Sequence, residues 1–388
     1  MTDQGTLLTE SSRTGDFGTA AAAPRLESLD AFRGLTIAAM ILVNNPGSWS
    51  YVYPPLAHAP WHGWTPTDLI FPYFLFIVGV AIPFSFARRL REGADRGDLM
   101  RHVVRRSLIL IGLGLAMRAI PAFDLGSMRL YGVLQRIGLV YMAAAAAYLY
   151  LDIRGRWLAT GALLLGYWAV MSWVPVPGYG AGDLGPEGNL AAWLDRLIMG
   201  EERLWQGSWD PEGLLSTAPA VATALLGIAS GEWLRSQRTG SQLARGMLLV
   251  GAALTVLGLA WGTVFPINKN LWTSSYVVFT AGTALLLLGV LYWCIDVQGW
   301  RGAWERWMVV YGRNAITVFV ASGMLTKAMF LVRVGSGEGT SLYTWLYEQL
   351  FRSWAGELNG SLAFAVSYVL FWLALMWILD AKRIYLKI

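Results

Sequence analysis

Apolar stretches recur ten times along the chain, at about 31–47, 66–87, 103–120, 131–151, 157–174, 216–234, 245–264, 273–295, 307–331 and 361–381. A helix of about 20 residues crosses a ~30 Å hydrocarbon core, so the pattern predicts ten transmembrane helices. Between the last two, residues 341–354 (SLYTWLYEQLFRSW) mix apolar and polar positions and predict an amphipathic helix lying on the membrane interface. Residues 1–25 are small and polar. They lack the apolar run of a signal peptide and read as a disordered cytoplasmic tail. No internal repeat is evident.

Basic residues orient the pattern, because Lys and Arg gather on the cytoplasmic side. With the N-terminus inside, 21 of the 30 Lys and Arg fall on inner segments and 8 on outer ones, with Arg136 left inside a span. The fold class expected is an all-α polytopic membrane protein with about ten transmembrane helices and both termini cytoplasmic. The segment 175–215 then lies outside the membrane, with the loops 48–65, 118–130 and 265–272.

Composition agrees. The 388 residues are 55% hydrophobic and 14% charged, with a mean hydropathy of +0.46. A soluble domain carries roughly 25% charged residues, so a soluble enzyme and a nucleic-acid binder are both disfavoured despite the net charge of +5. One cysteine, Cys294, allows no internal disulfide and no Cys-based zinc site, and no metal is expected. Only three histidines (His58, His62, His102) are present to do acid–base work near neutral pH.

The polar residues concentrate at one expected outer mouth. Span 1 ends in Asn44-Asn45-Pro46-Gly47, and the following loop carries His58, Trp61 and His62. Span 2 opens with Thr65-Pro66-Thr67-Asp68, a helix-start signal that places an acid one turn into the membrane. Gln135 and Arg136 lie at the matching depth of span 4, and Asp68 is a candidate counter-charge for Arg136. Asp210 and Glu212 precede span 6. Asn268, Lys269 and Asn270 form the turn before span 8. Aromatic faces with amides and carboxylates suit a sugar, whose rings stack and whose hydroxyls hydrogen-bond. An interfacial aromatic belt is the plainer reading of the same residues. On the inner face, Arg33 and the Arg313-Asn314 pair are candidates for holding phosphate. There is no Walker A, G-x-G-x-x-G or H-E-x-x-H pattern.

The stretches SLDAFRG, HAPWHGWTPTDLIFP, YGVLQRIGLVY, SWDPEGLLSTAP, FPINKNLWTSSY and YGRNAITVF together resemble the heparan-alpha-glucosaminide N-acetyltransferase family, in particular its bacterial members. The resemblance implies that residues 26–388 form a single transmembrane acyltransferase domain in a bacterial inner membrane. It implies transfer of an acetyl group from cytosolic acetyl-CoA to the amine of a glucosamine-type sugar on the far side. The family's catalytic histidine falls on His58 and its functional asparagine on Asn44. Asp68 joins them as a group that holds the imidazole or pairs with Arg136. His62 stands where the animal enzyme has Asn. The animal enzyme's lumenal N-terminal region and first span have no counterpart, which favours a small amino sugar over polymeric heparan. Partners implied are acetyl-CoA, the amino sugar and the lipid bilayer, with no nucleic acid; the oligomeric state stays open, a homodimer included. Ten spans around a polar mouth would also suit an amino-sugar permease.

Overall fold

The computed structural model describes residues 26–386 except 121, 122, 125, 337 and 338. The tail expected over 1–25 lies outside the described residues. The described chain is mostly helical. In order it forms α1 (Glu27–Asn44), α2 (Ile70–Arg91), α3 (Arg96–Ala119), α4 (Val133–Tyr150) and α5 (Ile153–Trp173). A two-residue hairpin, β1 (Pro175–Val176) and β2 (Gly180–Ala181), leads to α6 (Leu190–Met199), α7 (Leu214–Leu234), α8 (Gly240–Trp261) and α9 (Ser274–Tyr292). Then come α10 (Ala303–Arg313), α11 (Ala315–Leu331), a second hairpin of β3 (Arg333–Val334) and β4 (Thr340–Ser341), α12 (Leu342–Tyr347) and α13 (Ser353–Ala381).

Six of these helical stretches are long and apolar enough to cross a membrane, or seven if the bent pair α10–α11 counts as one span. Helices also stand at the other predicted positions. α1, α3 and α5 carry Glu27, Asp30 and Arg33, a string of arginines, and Arg154 with Arg156, which lower their hydropathy.

Two boundaries differ from the pattern-based expectation. The ninth stretch is not one straight helix: α10 and α11 meet at 78°. Asn314 sits at the corner with φ −122° and ψ 32°. There its amide donates to the Ile384 carbonyl (3.2 Å) and accepts from the Leu386 N–H (3.1 Å). Those bonds to the C-terminal segment stabilise a break that helical periodicity does not reveal. A helix stands over the expected interfacial stretch 341–354, and the last span begins directly after it, at Gly356 rather than near 361. α12 passes through a wide π-type turn into α13, and the bend falls at Gly356 (φ 76°).

Helix pairs close through glycine. A Cβ on Gly34 of α1 would lie 1.7 Å from the Met308 carbonyl oxygen of α10, and one on Gly79 of α2 would lie 2.0 Å from that of Ala224 in α7. Such contact brings backbones together where two membrane helices gain little from hydrophobicity alone. The main core then fills with Phe32, Leu75, Phe76, Val277 and Tyr311, all essentially inaccessible. A second small core caps one end of the bundle. There Tyr167, Met171, Val176, Leu190, Phe265 and Leu271 bury one another between α5, the first hairpin, α6 and the turn before α9.

Candidate functional site

The site forms at that capped end, where a 3-10 turn over Pro66–Leu69 feeds α2. Asp68 lies in this turn with 1% of its surface exposed. Its Oδ2 accepts from the backbone N–H groups of Ala59 (3.0 Å) and Thr65 (3.0 Å), while the Thr65 hydroxyl donates to the Ala57 carbonyl (2.6 Å). The bond back to Thr65 is the reciprocal half of a capping box. Two backbone donors therefore fix the carboxylate and leave Oδ1 aimed at His58 Nδ1, 2.7 Å away. An ionised carboxylate can only accept, so Nδ1 carries the hydrogen, and in the neutral imidazole Nε2 is then the nitrogen with the lone pair. The His58 ring is about half exposed (49%), so that lone pair faces a mouth open to solvent.

Lys269 completes the group from a distant part of the chain. Its Nζ lies 3.1 Å from Nδ1 and 3.2 Å from Nε2 of His58 and 3.8 Å from Asp68 Oδ1. Near-equal distances to both ring nitrogens place it over the face of the imidazole, since an in-plane position would collide with Cε1. Burial pushes its pKa below the ordinary value, while the carboxylates of Asp68 and Glu212 pull the other way.

The neighbouring turn is rigid. Asn268 is fully buried, its Oδ1 accepting from Leu271 N–H (2.9 Å) and its Nδ2 reaching His62 Nδ1 (3.2 Å). Asn270 is half-buried in the same turn. The Trp61 indole donates to the Leu184 carbonyl (2.8 Å) and packs edge-on against Trp209 at 5.0 Å. These contacts tie the His58 loop to the cap.

Other expected residues take different partners. Arg136 does not pair with Asp68. It is 1% exposed, donates through Nη2 to the Gly213 carbonyl (2.9 Å) and the Ser216 hydroxyl (2.5 Å), and lies over the Trp272 ring at 5.1 Å. Equal depth on α2 and α4 does not make two side chains neighbours. Here Asp68 is already satisfied by the loop that precedes it. Asp210 and Glu212 are held by Arg129, which bonds both oxygens of Asp210 (2.6 Å each) and also reaches Glu212. Burial works against the Arg129 charge, and the two carboxylates more than offset it, so its pKa is raised. Gln135 donates to the Leu130 carbonyl (3.1 Å). Asn45 is buried and bonded to the Ile41 carbonyl (2.8 Å) and the Thr326 hydroxyl (2.6 Å), which ties α1 to α11. Asn44 is the last residue of α1, with its side chain exposed.

Sequence reasoning missed Arg129 and Asp195, and read Thr65 only as a helix start. Asp195 is buried in α6 and caps α7 through Leu214 N–H (2.9 Å). Burial pushes its pKa up to about 6. Only Thr65 carried a local signal, as the start of the capping box.

At the opposite end of the bundle, Arg33 pairs with Asp30 (2.9 Å) and Arg313 with Asp380 (2.7 Å). Close by, Arg301, Arg306, Glu305 and Trp377 line a cavity of about 500 Å³.

Comparison with known proteins gives the family. The profile of the heparan-alpha-glucosaminide N-acetyltransferase catalytic family matches residues 25–260. The human heparan-alpha-glucosaminide N-acetyltransferase is 33% identical over 355 residues, covering 76% of this chain and 52% of its own length. The mouse protein of the same name is 32% identical, covering 78% and 54%. The chain spans about half the length of these curated relatives. The profile takes in His58, Asp68, Arg136, Asp210 and Glu212, while Lys269 lies beyond it. The protein is a multi-pass membrane protein, and its chain belongs to the heparan-alpha-glucosaminide N-acetyltransferase catalytic family.

Proposed function

We propose that the protein transfers an acetyl group from acetyl-CoA, taken from the cytoplasmic side, to the amine of a small glucosamine-type sugar on the other side of a bacterial inner membrane. All ten helical stretches cross in this reading, both termini are cytoplasmic, and His58 faces outward. The observation that carries it is His58, held by Asp68 with Nε2 free at an open mouth, in a stretch matched by the family profile.

The chemistry follows from the imidazole. An amine attacks a thioester only as the free base, and the proton it loses needs an acceptor as the C–N bond forms. Neutral His58 offers one at Nε2, an effect worth typically 10²–10⁴-fold. The same lone pair can attack the thioester first, giving an acetyl-imidazole that the sugar amine opens. Single-turnover labelling with acetyl-CoA separates the routes: acetyl bound to the enzyme without acceptor belongs only to the second. Asn44, exposed at the end of α1, is the proposed donor to the developing oxyanion. Trp61, His62 and the turn 268–270 are the proposed walls for the sugar. The CoA phosphates meet the basic end, where Arg33, Arg313 and Asn314 frame the approach and Arg301 and Arg306 line the nearby cavity.

The test is purified protein with acetyl-CoA and glucosamine. N-acetylglucosamine should form, and His58→Ala should lower the rate at least 100-fold. Counterflow of unmodified sugar that survives in His58→Ala would instead make the protein a permease.

A further inference from the structure

Among the described residues Lys269 is the one primary amine beside His58, and primary amine is also the chemical class of the proposed acceptor. Its Nζ stands over the imidazole face, 3.2 Å from Nε2. An acetyl group on Nε2 is conjugated with the ring and lies in its plane. Its carbonyl carbon is therefore attacked from above or below that plane, on the kind of approach Nζ already occupies. In direct transfer the amine must instead reach the ring plane, where the Nε2 lone pair lies, and a turn of the flexible lysine side chain brings Nζ there. Lys269 is thus placed over the face for the two-step route and within a side-chain rotation of the direct one. Protonation alone restrains it. Asp68 at 3.8 Å favours the ammonium, but that carboxylate already serves His58, Ala59 and Thr65. Burial favours the free base.

We infer that Lys269 is an internal acetyl acceptor, modified when donor is bound and the sugar is absent. This rests on the acetyltransferase reading above. The Nζ lone pair forms the new C–N bond to the acetyl carbon. The bond from that carbon to the CoA sulfur, or to Nε2 in the two-step route, breaks. The Nζ proton passes to Nε2 and from there to the CoA thiolate, which ends as the thiol; in the two-step route that thiolate was released when Nε2 took the acetyl group. The product is an uncharged acetamide over the imidazole face, which has lost its ion pair with Asp68 and obstructs the next acceptor. Sugar in the site competes for the acetyl group and protects the enzyme.

The experiment incubates the full-length protein with acetyl-CoA, with and without glucosamine, then measures acetylation at each lysine by peptide mass spectrometry and the remaining activity. Lys327 and Lys382 serve as controls for uncatalysed acetylation. Lys269 is expected to gain acetyl at least tenfold faster than those controls, with activity falling in step. Glucosamine and His58→Ala should each suppress it. Lys269→Arg, which keeps the cation, should hold whatever activity it has through the same preincubation. A protein that acetylates glucosamine while Lys269 stays at the control level overturns the inference and leaves the proposed function standing. A protein that acetylates neither overturns both.

Discussion

A half-exposed imidazole turns freely unless something holds it, and at position 58 the holding group is Asp68. Replacing Asp68 with Asn removes the charge that fixes the tautomer while keeping the shape. The expected outcome is a fall in kcat on the order of 10²–10⁴ with the acetyl-CoA KM little changed, read from steady-state rates. This pair was legible in the sequence because both members sit in one short motif and Thr65-Pro66 announces the helix start. Lys269 lies 211 residues from His58, and no local pattern reports such an approach. Arg136 misled for the same reason: depth in the membrane was readable, but the identity of the neighbour was not. Asp195 gives a second test. Its folded pKa of about 6 stands above the ordinary carboxylate value of about 4, so the fold favours the neutral acid. The stability this contributes is complete below pH 4 and is lost as pH rises through 6. Asp195→Asn keeps an oxygen for Leu214 N–H and removes the titration. Wild type should therefore lose stability between pH 4 and 6 relative to the variant, by no more than about 3 kcal/mol. Thermal unfolding in detergent across that range checks it, and parallel curves would refute it.

At the scale of elements, helix positions followed from hydropathy, whereas breaks and pairings did not. The corner at Asn314 depends on bonds to the C-terminal segment, and the bend at Gly356 depends on a positive φ. Both are tertiary or conformational facts invisible to periodicity. Pairing depends on glycines that are indistinguishable in sequence. Gly79 approaches Ala224 of α7 so closely that an added Cβ would meet its carbonyl oxygen at 2.0 Å, while one on Gly112 of α3 would meet nothing within 4 Å. Gly79→Ala should force α2 and α7 apart and cost about 1–3 kcal/mol. Gly112→Ala should be neutral or stabilising by up to about 1 kcal/mol, as alanine favours helix. Comparing the two unfolding midpoints decides the matter; equal losses would mean that backbone contact does not hold the bundle.

At the scale of the molecule, the proposed function requires a donor and an acceptor on opposite sides of a membrane to reach one histidine. Hydropathy alone gives six or seven spans among the described residues, and the proposed topology has ten. α1 buries Ser28, Asp30 and Thr36 against the bundle, so its polar residues face protein rather than lipid and lower its score without disqualifying it as a span. The two ends also differ in chemistry. One gathers arginines near the Arg33–Asp30 and Arg313–Asp380 pairs, and the other holds the His58 site. CoA is too highly charged to enter hydrocarbon, whereas its pantetheine arm is long and nearly uncharged. The arrangement therefore predicts transfer across a closed membrane. Protein reconstituted into sealed vesicles, with glucosamine trapped inside and acetyl-CoA added outside, should build up N-acetylglucosamine in the lumen from molecules whose basic end faces out. Acetyl-CoA trapped inside with glucosamine outside should give external product from the opposite orientation. If product forms only when both substrates share a compartment, the donor enters from the His58 side, and the basic end serves topology alone.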